Sequence, residues 1–584
     1  MKKLFKEKNI VLTILVFGII FRFYNPNWDS GHYFHPDERN IANSVSRIQF
    51  FSQMNPKFFA YGSFPIYLYR ATGEIINYIN KTEAWTYDWA KIDIIGRVWS
   101  AIFSSLTLII IYRLARKVFD KRVALLTLFF TAFTVFLIQT AHFAVTESML
   151  AFYIVTLSYL SIQLLKEPSF SQTAKLSLFM GFALATKTSA VTFFIPPGLA
   201  FLYLIVNNLS HKHFDHALDY AFKMILFLAL SSFIFFIIDP YIFLDFKHFR
   251  ESMNYEGGIV TGKLVVVYVY QFIKTKAYLY WIQNWFFTQG PLLASASIVG
   301  SFYFLYLIIR KRQVSSILIF VWPLVYFTIV GNWFTKFSRY LVPLYPFLAL
   351  VSSKLLIDMI YLARKQKILL LSSKLLLVFT LSTTFIYALA FMSIYTSPQT
   401  RIMASKWIYA NIPSNSKILT EHWDDGLPLP IKEGSPDRYQ IEALTIYEPD
   451  NTQKVTYYGE KLSSSDYIII NSKRLYGTLL YLPNKYPITS KYYKLLFDGK
   501  LGYTLVQQFT SYPRLEFGNC LPRSLAPRRR EAGSLRCEGR VLLWELNDDA
   551  VEESFQVYDH PKNLIFKNTG RFLKEQLQKL LTQP

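Results

Sequence analysis

Long apolar runs separated by short polar stretches fill roughly the first two thirds of the chain. A helix needs roughly 20 apolar residues to cross a bilayer. Runs near that length fall at residues 10–23, 94–112, 123–140, 148–165, 174–187, 189–206, 222–238, 291–309, 314–331, 341–361 and 368–391. The pattern predicts a polytopic α-helical membrane protein with about 11 transmembrane helices. The pair divided at Lys187 reads either as one broken helix or as two short ones.

Shorter periodic segments lie between these runs. Ile41, Val45, Ile48 and Phe51 recur at helical spacing, and "FPIYLYRATGEIINYI" does the same around Pro65, so both predict helices lying in the membrane interface. Residues 239–290 are too long and aromatic for a connector and predict a second interfacial layer. After residue 392 the pattern changes to short β-like runs, "DYIII", "GYTLVQQF", "VLLWEL" and "NLIFKN". We therefore expect a membrane domain over 1–395 and a small extracytoplasmic α/β domain over 396–584. Residues 521–540 concentrate Arg in a chain that otherwise favours Lys, and read as a poorly ordered insertion.

Charge then tests the division into spans. The formal net charge of +23 would suit nucleic acid, but the basic residues cluster beside apolar runs rather than along one amphipathic face. They occupy alternate loops: Lys2, Lys3, Lys6 and Lys8; Arg113 to Arg122; Lys166 and Lys175; Lys212 and Lys223; "RKR" at 310–312; and Arg364 to Lys367. The positive-inside rule places these loops, and the N-terminus, in the cytoplasm. Residues 24–93, "TAHFAVTE", the Lys187 break, 239–290, "NWFTKFSR" and everything after 392 then face outward.

The first run has the basic and apolar regions of a signal peptide but no small-residue cleavage site before Phe23, so it reads as a retained span. The two cysteines, Cys520 and Cys537, exclude a disulfide framework or a Cys-based metal site, leaving one bridge open.

The unusual charges converge on the outer face. In "GHYFHPDERN", Asp37 and Glu38 follow a proline, which suits a helix start, but paired carboxylates at a bilayer surface also raise one another's pKa and suit a general base. Glu147 opens a span behind His142, with Thr146 as a candidate cap. Lys187 interrupts apolar sequence, and Lys336 and Arg339 run against the positive-inside trend. Snorkelling explains a lysine there, while inward-pointing cations suit a phosphate. Walker-type loops, HExxH, CxxC and GxSxG are absent from the sequence, which argues against a nucleotide-driven pump or a zinc protease.

Acids beside phosphate-binding cations suggest transfer chemistry on a lipid-linked phosphate. A transporter or lipid flippase would instead place charges near the midplane between inverted repeats, and no internal repeat is evident. A non-catalytic envelope-assembly or glycan-binding protein would leave the acids without a joint task.

"HPDE", "YGSFPIYLY", "AHFAVTESML", "LATKTSA" and "RYLVPLYPFLAL", in this order over roughly residues 10–395, resemble the family 39 glycosyltransferases of the GT-C fold. That family includes protein O-mannosyltransferases and aminoarabinose transferases. The resemblance implies a polyprenyl-phosphate-sugar donor, inverting transfer to an acceptor on protein, lipid or glycan, and a multi-pass plasma-membrane location. It implies Asp37 as base or acceptor-positioning group, Glu38 as its supporting partner and Glu147 as the second-loop acid. Lys187, Arg339 and Lys336 would bind the donor phosphate, and His35, Tyr61 and His142 would line the acceptor side. Aminoarabinose transferases carry a lysine where this chain has Tyr61-Gly62-Ser63, so another cation must hold the phosphate. The carboxylates and His35 have the chemistry to bind a divalent cation, but their spacing specifies none.

Overall fold

The computed structural model describes residues 2–517 and 541–582. Cys520, Cys537 and the expected insertion at 521–540 lie outside the described residues. The chain forms two compact units, Met1–Leu264 with Lys276–Ala388, and Val265–Thr275 with Leu389–Pro584. The boundary thus precedes the expected 395/396 division, and a short segment of the predicted second interfacial layer belongs to the second unit.

The first unit is helical. Among the described residues eight helical segments are long and apolar enough to cross a membrane, or nine if one bent pair counts as a span. The helices Lys2–Phe23 and Phe170–Thr186 coincide with the first and fifth expected spans. The first brings Lys6, Glu7, Lys8 and Arg22 into its apolar stretch, and the second has 17 residues. They therefore fall outside that set.

Burial ranks the helices. Glu147–Leu164 and the segment Ser338–Lys365 are each 89% buried over their apolar windows, whereas Phe214–Ile238 is 17% buried. The first two form the centre of the unit, and the third shows an apolar face that only lipid can cover. Small residues allow close helix approach: Ser297 and Ser352 share a hydrogen bond at 3.0 Å, and Gly300 lies against the Val351 carbonyl.

The span expected at 123–140 is two helices, Lys121–Phe133 and Val135–Ala141, bent by 54°. The physical cause is Arg22. Its buried guanidinium donates to the carbonyls of Ala132 at 2.9 Å and Thr131 at 3.1 Å, and to Ser104 Oγ at 2.8 Å. A donor inserted among helix carbonyls is a recognised origin of a kink. The two expected interfacial segments form helices Pro36–Arg47, which stops before Ile48 and Phe51, and Ser63–Asn80.

The second unit holds a five-stranded sheet built from β1 (Lys417–Glu421), β2 (Gln440–Leu444), β3 (Tyr467–Ile470), β4 (Tyr503–Phe509) and β7 (Asn563–Asn568), in the order β2-β1-β3-β7-β4. β2, β1 and β3 run parallel, and β7 is antiparallel to both β3 and β4. β3, the central strand, is buried along its whole length. β5 (Arg514–Phe517) and β6 (Val541–Glu545) form a separate antiparallel pair. The four expected β-runs are β3, β4, β6 and β7.

Tyrosines fill much of this core, and two of their hydroxyls are paired locally: Tyr503 donates to the Leu462 carbonyl and Tyr493 to Glu421, both at 2.7 Å. Deeper still, His560 sits between Asp559, at 2.5 Å, and Asp548, at 2.8 Å.

Candidate active site

Arg97 organises the segment 24–93. It lies about two turns inside the helix Trp89–Val118, buried, with its ring-face partner Trp28 at 4.7 Å. Its guanidinium forks onto two carboxylates. Two nitrogens reach Asp29 at 2.7 and 2.9 Å, and Nε and a terminal nitrogen reach Glu38 at 2.9 and 2.6 Å. Glu38 also accepts the Ala144 N–H at 2.6 Å, and burial holds its pKa above the ordinary carboxylate value against the pull of Arg97. This clamp ties the helix Pro36–Arg47, the start of the Trp89–Val118 helix and the 142–146 turn into one block.

Asp37, the next residue along the same helix, belongs to a different group. Arg339 approaches its carboxylate at 2.9 Å, and the Tyr61 hydroxyl donates to it. Burial alone would raise the Asp37 pKa, but Arg339, with help from Lys187, holds it below the ordinary carboxylate range. Lys187 in turn lies 3.4 Å from Glu147 and 4.9 Å from the Tyr61 ring centre. Burial and the Asp37 and Glu147 charges keep the Tyr61 phenol well above its usual pKa, hence protonated and donating. Asp37, Tyr61, Glu147, Lys187 and Arg339 thus form one cluster drawn from five distant segments.

Local structure explains the placement. Pro36 and Asp37 open their helix, with His35 as N-cap accepting the Asp37 N–H at 3.2 Å. Burial drives the His35 pKa down to about 3, so its imidazole is neutral and its Nδ1 is available for this bond. Glu147 is the first residue of a central helix, and Lys187 terminates Phe170–Thr186 in extended conformation before a 3-10 turn, Thr188–Phe194. The Lys187 break is therefore two elements. Thr146 makes no side-chain cap, contrary to expectation, and its hydroxyl is buried without a hydrogen bond.

Gly62 brings Tyr61 to Lys187. Its N–H donates to the Thr186 carbonyl at 3.0 Å, and a Cβ at Gly62 would stand 2.0 Å from the Ala185 carbonyl oxygen. No side chain fits there. Asp239 anchors the other side, accepting from Ser63 Oγ at 2.5 Å and from Ser63 N–H at 3.1 Å at the start of the Ser63–Asn80 helix.

Three other expected residues stand apart from this cluster. The ring nitrogens of His142 lie 2.9 Å from the carbonyls of Ile138 and Tyr24, bracing the start of the segment 24–93. Lys336 is buried and donates to the Phe334 carbonyl at 2.9 Å. Glu38 belongs to the Arg97 clamp. Conversely, Arg97, Asp29 and Asp93 were not singled out in the sequence, nor was Glu256, whose charge interacts with Lys187, Asp37 and Arg339. A charge inside an apolar run, the signal that marked Lys187, also marks Arg97.

One acidic group has metal-like spacing: ligand atoms of Asp29, Glu38 and Asp93 lie within 4.8 Å of one another. It does not fit a divalent ion, because Arg97 already occupies both carboxylate forks. Glu147 Oε2, by contrast, is buried with no hydrogen-bond partner among the described residues.

Residues 93–236 match the sequence profile of the dolichyl-phosphate-mannose-protein mannosyltransferase family. No curated protein sequence matches the chain. Among solved structures, the oligosaccharyltransferase AglB from Archaeoglobus fulgidus, in complex with an inhibitory peptide and a dolichol-phosphate, is 13% identical with a TM-score of 0.51, over 84% of this chain and 72% of that one. ArnT from Cupriavidus metallidurans, bound to undecaprenyl phosphate, is 16% identical with a TM-score of 0.43, over 81% of this chain and 94% of that one. The matched stretch begins at Asp93 and spans Arg97, Glu147 and Lys187, and the chain shares its fold with that AglB structure.

Proposed function

We propose that the protein is a membrane glycosyltransferase that moves a sugar from a polyprenyl-phosphate-linked donor to an acceptor hydroxyl on the extracytoplasmic face, with inversion. The observation that carries this reading is the pairing of two acids with two cations in one cluster, Asp37 with Arg339 and Glu147 with Lys187. The matched profile is named for dolichyl-phosphate-mannose, and AglB was solved with a dolichol-phosphate.

In the proposed step the acceptor oxygen attacks the anomeric carbon as its proton passes to Asp37. The bond from that carbon to the phosphate oxygen breaks, and its electrons leave with the polyprenyl phosphate. Arg339 and Lys187 neutralise the charge that develops there. A phosphate at these cations also relieves the pull that depresses Asp37, so donor binding strengthens the base. Glu147, with one oxygen unpartnered, orients the acceptor.

The test is transfer from labelled polyprenyl-phosphate sugars to candidate acceptors by the purified full chain. Wild type transfers; Asp37→Asn loses at least about a hundredfold in rate. Equal transfer by the two removes Asp37 as base. Because Lys187 and Arg339 supply the positive charge, transfer persists in EDTA; loss on chelation and recovery with a divalent ion would overturn that assignment.

A further inference from the structure

A cavity of about 340 Å³ lies away from the acid–cation cluster, where the far end of the Trp89–Val118 helix meets the helices Pro291–Lys311 and Val314–Gly331. Arg97, whose partner Glu38 adjoins Asp37 of the cluster, and Val118 are on one helix, and at 1.5 Å per residue their separation is about 30 Å. The two sites are therefore distinct.

The cavity is built in two halves. Phe119, Phe304 and Leu307 form an apolar wall, with Phe119 and Phe304 packed edge to face at 5.9 Å. Lys311, Gln313, Ser316 and Lys354 line the other side. Lys354 is held by Asp358 at 2.6 Å, its ammonium 5.7 Å from the Phe119 ring centre. Lys311 has no carboxylate within 4.0 Å among the described residues. Asp120, the acid on the rim, is committed elsewhere: it caps the next helix through the N–H groups of Arg122 and Val123, and accepts from the Tyr361 hydroxyl at 3.1 Å. The Val314–Gly331 helix starts here without a side-chain cap, adding its positive dipole end.

We infer that this cavity binds the phosphate of an anionic membrane lipid, with an acyl chain lying along Phe119 and Leu307. The volume is that of a small-ligand site. A free anion would gain nothing from the apolar wall. The three helices meeting at the cavity are each long and apolar enough to span a bilayer, so their ends reach headgroup depth. The surrounding basic residues, among them Arg116, Lys117, Arg310 and Arg312, mark the surface that faces an anionic leaflet.

The purified full chain, incubated in mild detergent with phosphatidylglycerol, phosphatidylcholine or inorganic phosphate, is examined by native mass spectrometry. Wild type retains one phosphatidylglycerol in preference to phosphatidylcholine, and Lys311→Gln lowers that retention about fivefold. Lys354→Arg, which keeps the charge, and Arg364→Gln, outside the cavity, retain it. Equal retention by wild type and Lys311→Gln, or equal retention of the two lipids, overturns the inference. Displacement of phosphatidylglycerol by equimolar inorganic phosphate would make this a free-anion site and overturn the lipid assignment.

Discussion

Arg339 lies 2.9 Å from the Asp37 carboxylate, and each side chain keeps close to a fifth of its surface exposed. A ligand can therefore reach both members of the pair. Arg339→Gln is expected to lower kcat/KM by about 10²–10³ through lost charge stabilisation of the leaving phosphate. It also removes the main force depressing the Asp37 pKa, so the acid limb of the pH–rate profile moves to higher pH. An unmoved acid limb would show that Asp37 does not set it.

Glu38→Gln tests a structural role against a catalytic one. The variant leaves Arg97 with half its fork unmatched in a buried site, a loss of about 3–5 kcal/mol. The expected result is a lower thermal midpoint and poor yield, whereas Asp37→Asn keeps the midpoint and loses turnover. A stable Glu38→Gln protein lacking turnover would return Glu38 to the chemistry.

Gly62→Ala places a methyl group 2.0 Å from the Ala185 carbonyl oxygen. Backbone must move, and Tyr61 moves with it away from Lys187 and Asp37. Transfer should fall at least about tenfold, a loss of roughly 1.4 kcal/mol in transition-state binding, while Gly198→Ala, which has open space around it, behaves as wild type. Full activity in Gly62→Ala would separate Tyr61 from the site.

His560 provides a pH test in the second unit. Burial alone would lower its pKa, but Asp559 and Asp548 raise it from 6.5 to about 10. The folded state therefore binds the proton more tightly than the unfolded state. Its stabilisation is complete below about pH 6.5 and is lost as pH rises through about 10. Thermal unfolding from pH 6 to 10.5 should show this decline in wild type and not in His560→Gln. Parallel curves would remove His560 as its source.

Much of the membrane unit was legible because a bilayer imposes a simple rule on sequence: apolar length with polar interruptions. Asp37, Glu147, Lys187 and Arg339 stood out as charges at such interruptions on one predicted face, and the fold brings them together. Arg97 and Arg22 were absorbed into expected spans, since neither shows its partners until the chain folds. Arg97 meets Asp29 and Glu38 across long sequence separations, and Arg22 meets carbonyls of a helix more than a hundred residues away. The same limit applies to the second unit. β4 and β7 carry long β-like runs, whereas β1 and β2, five residues each, depend on each other's pairing to be strands at all.

The Arg339–Asp37 contact also gives the resting site a means of discrimination. A neutral glycolipid entering it would have to separate two joined charges and offer a compensating charge to neither. A lipid phosphate replaces one partner as it frees the other. On the proposed reading the site screens its donor by the charge at the anomeric linkage before it inspects the sugar, and the identity of the sugar can change without altering that screen.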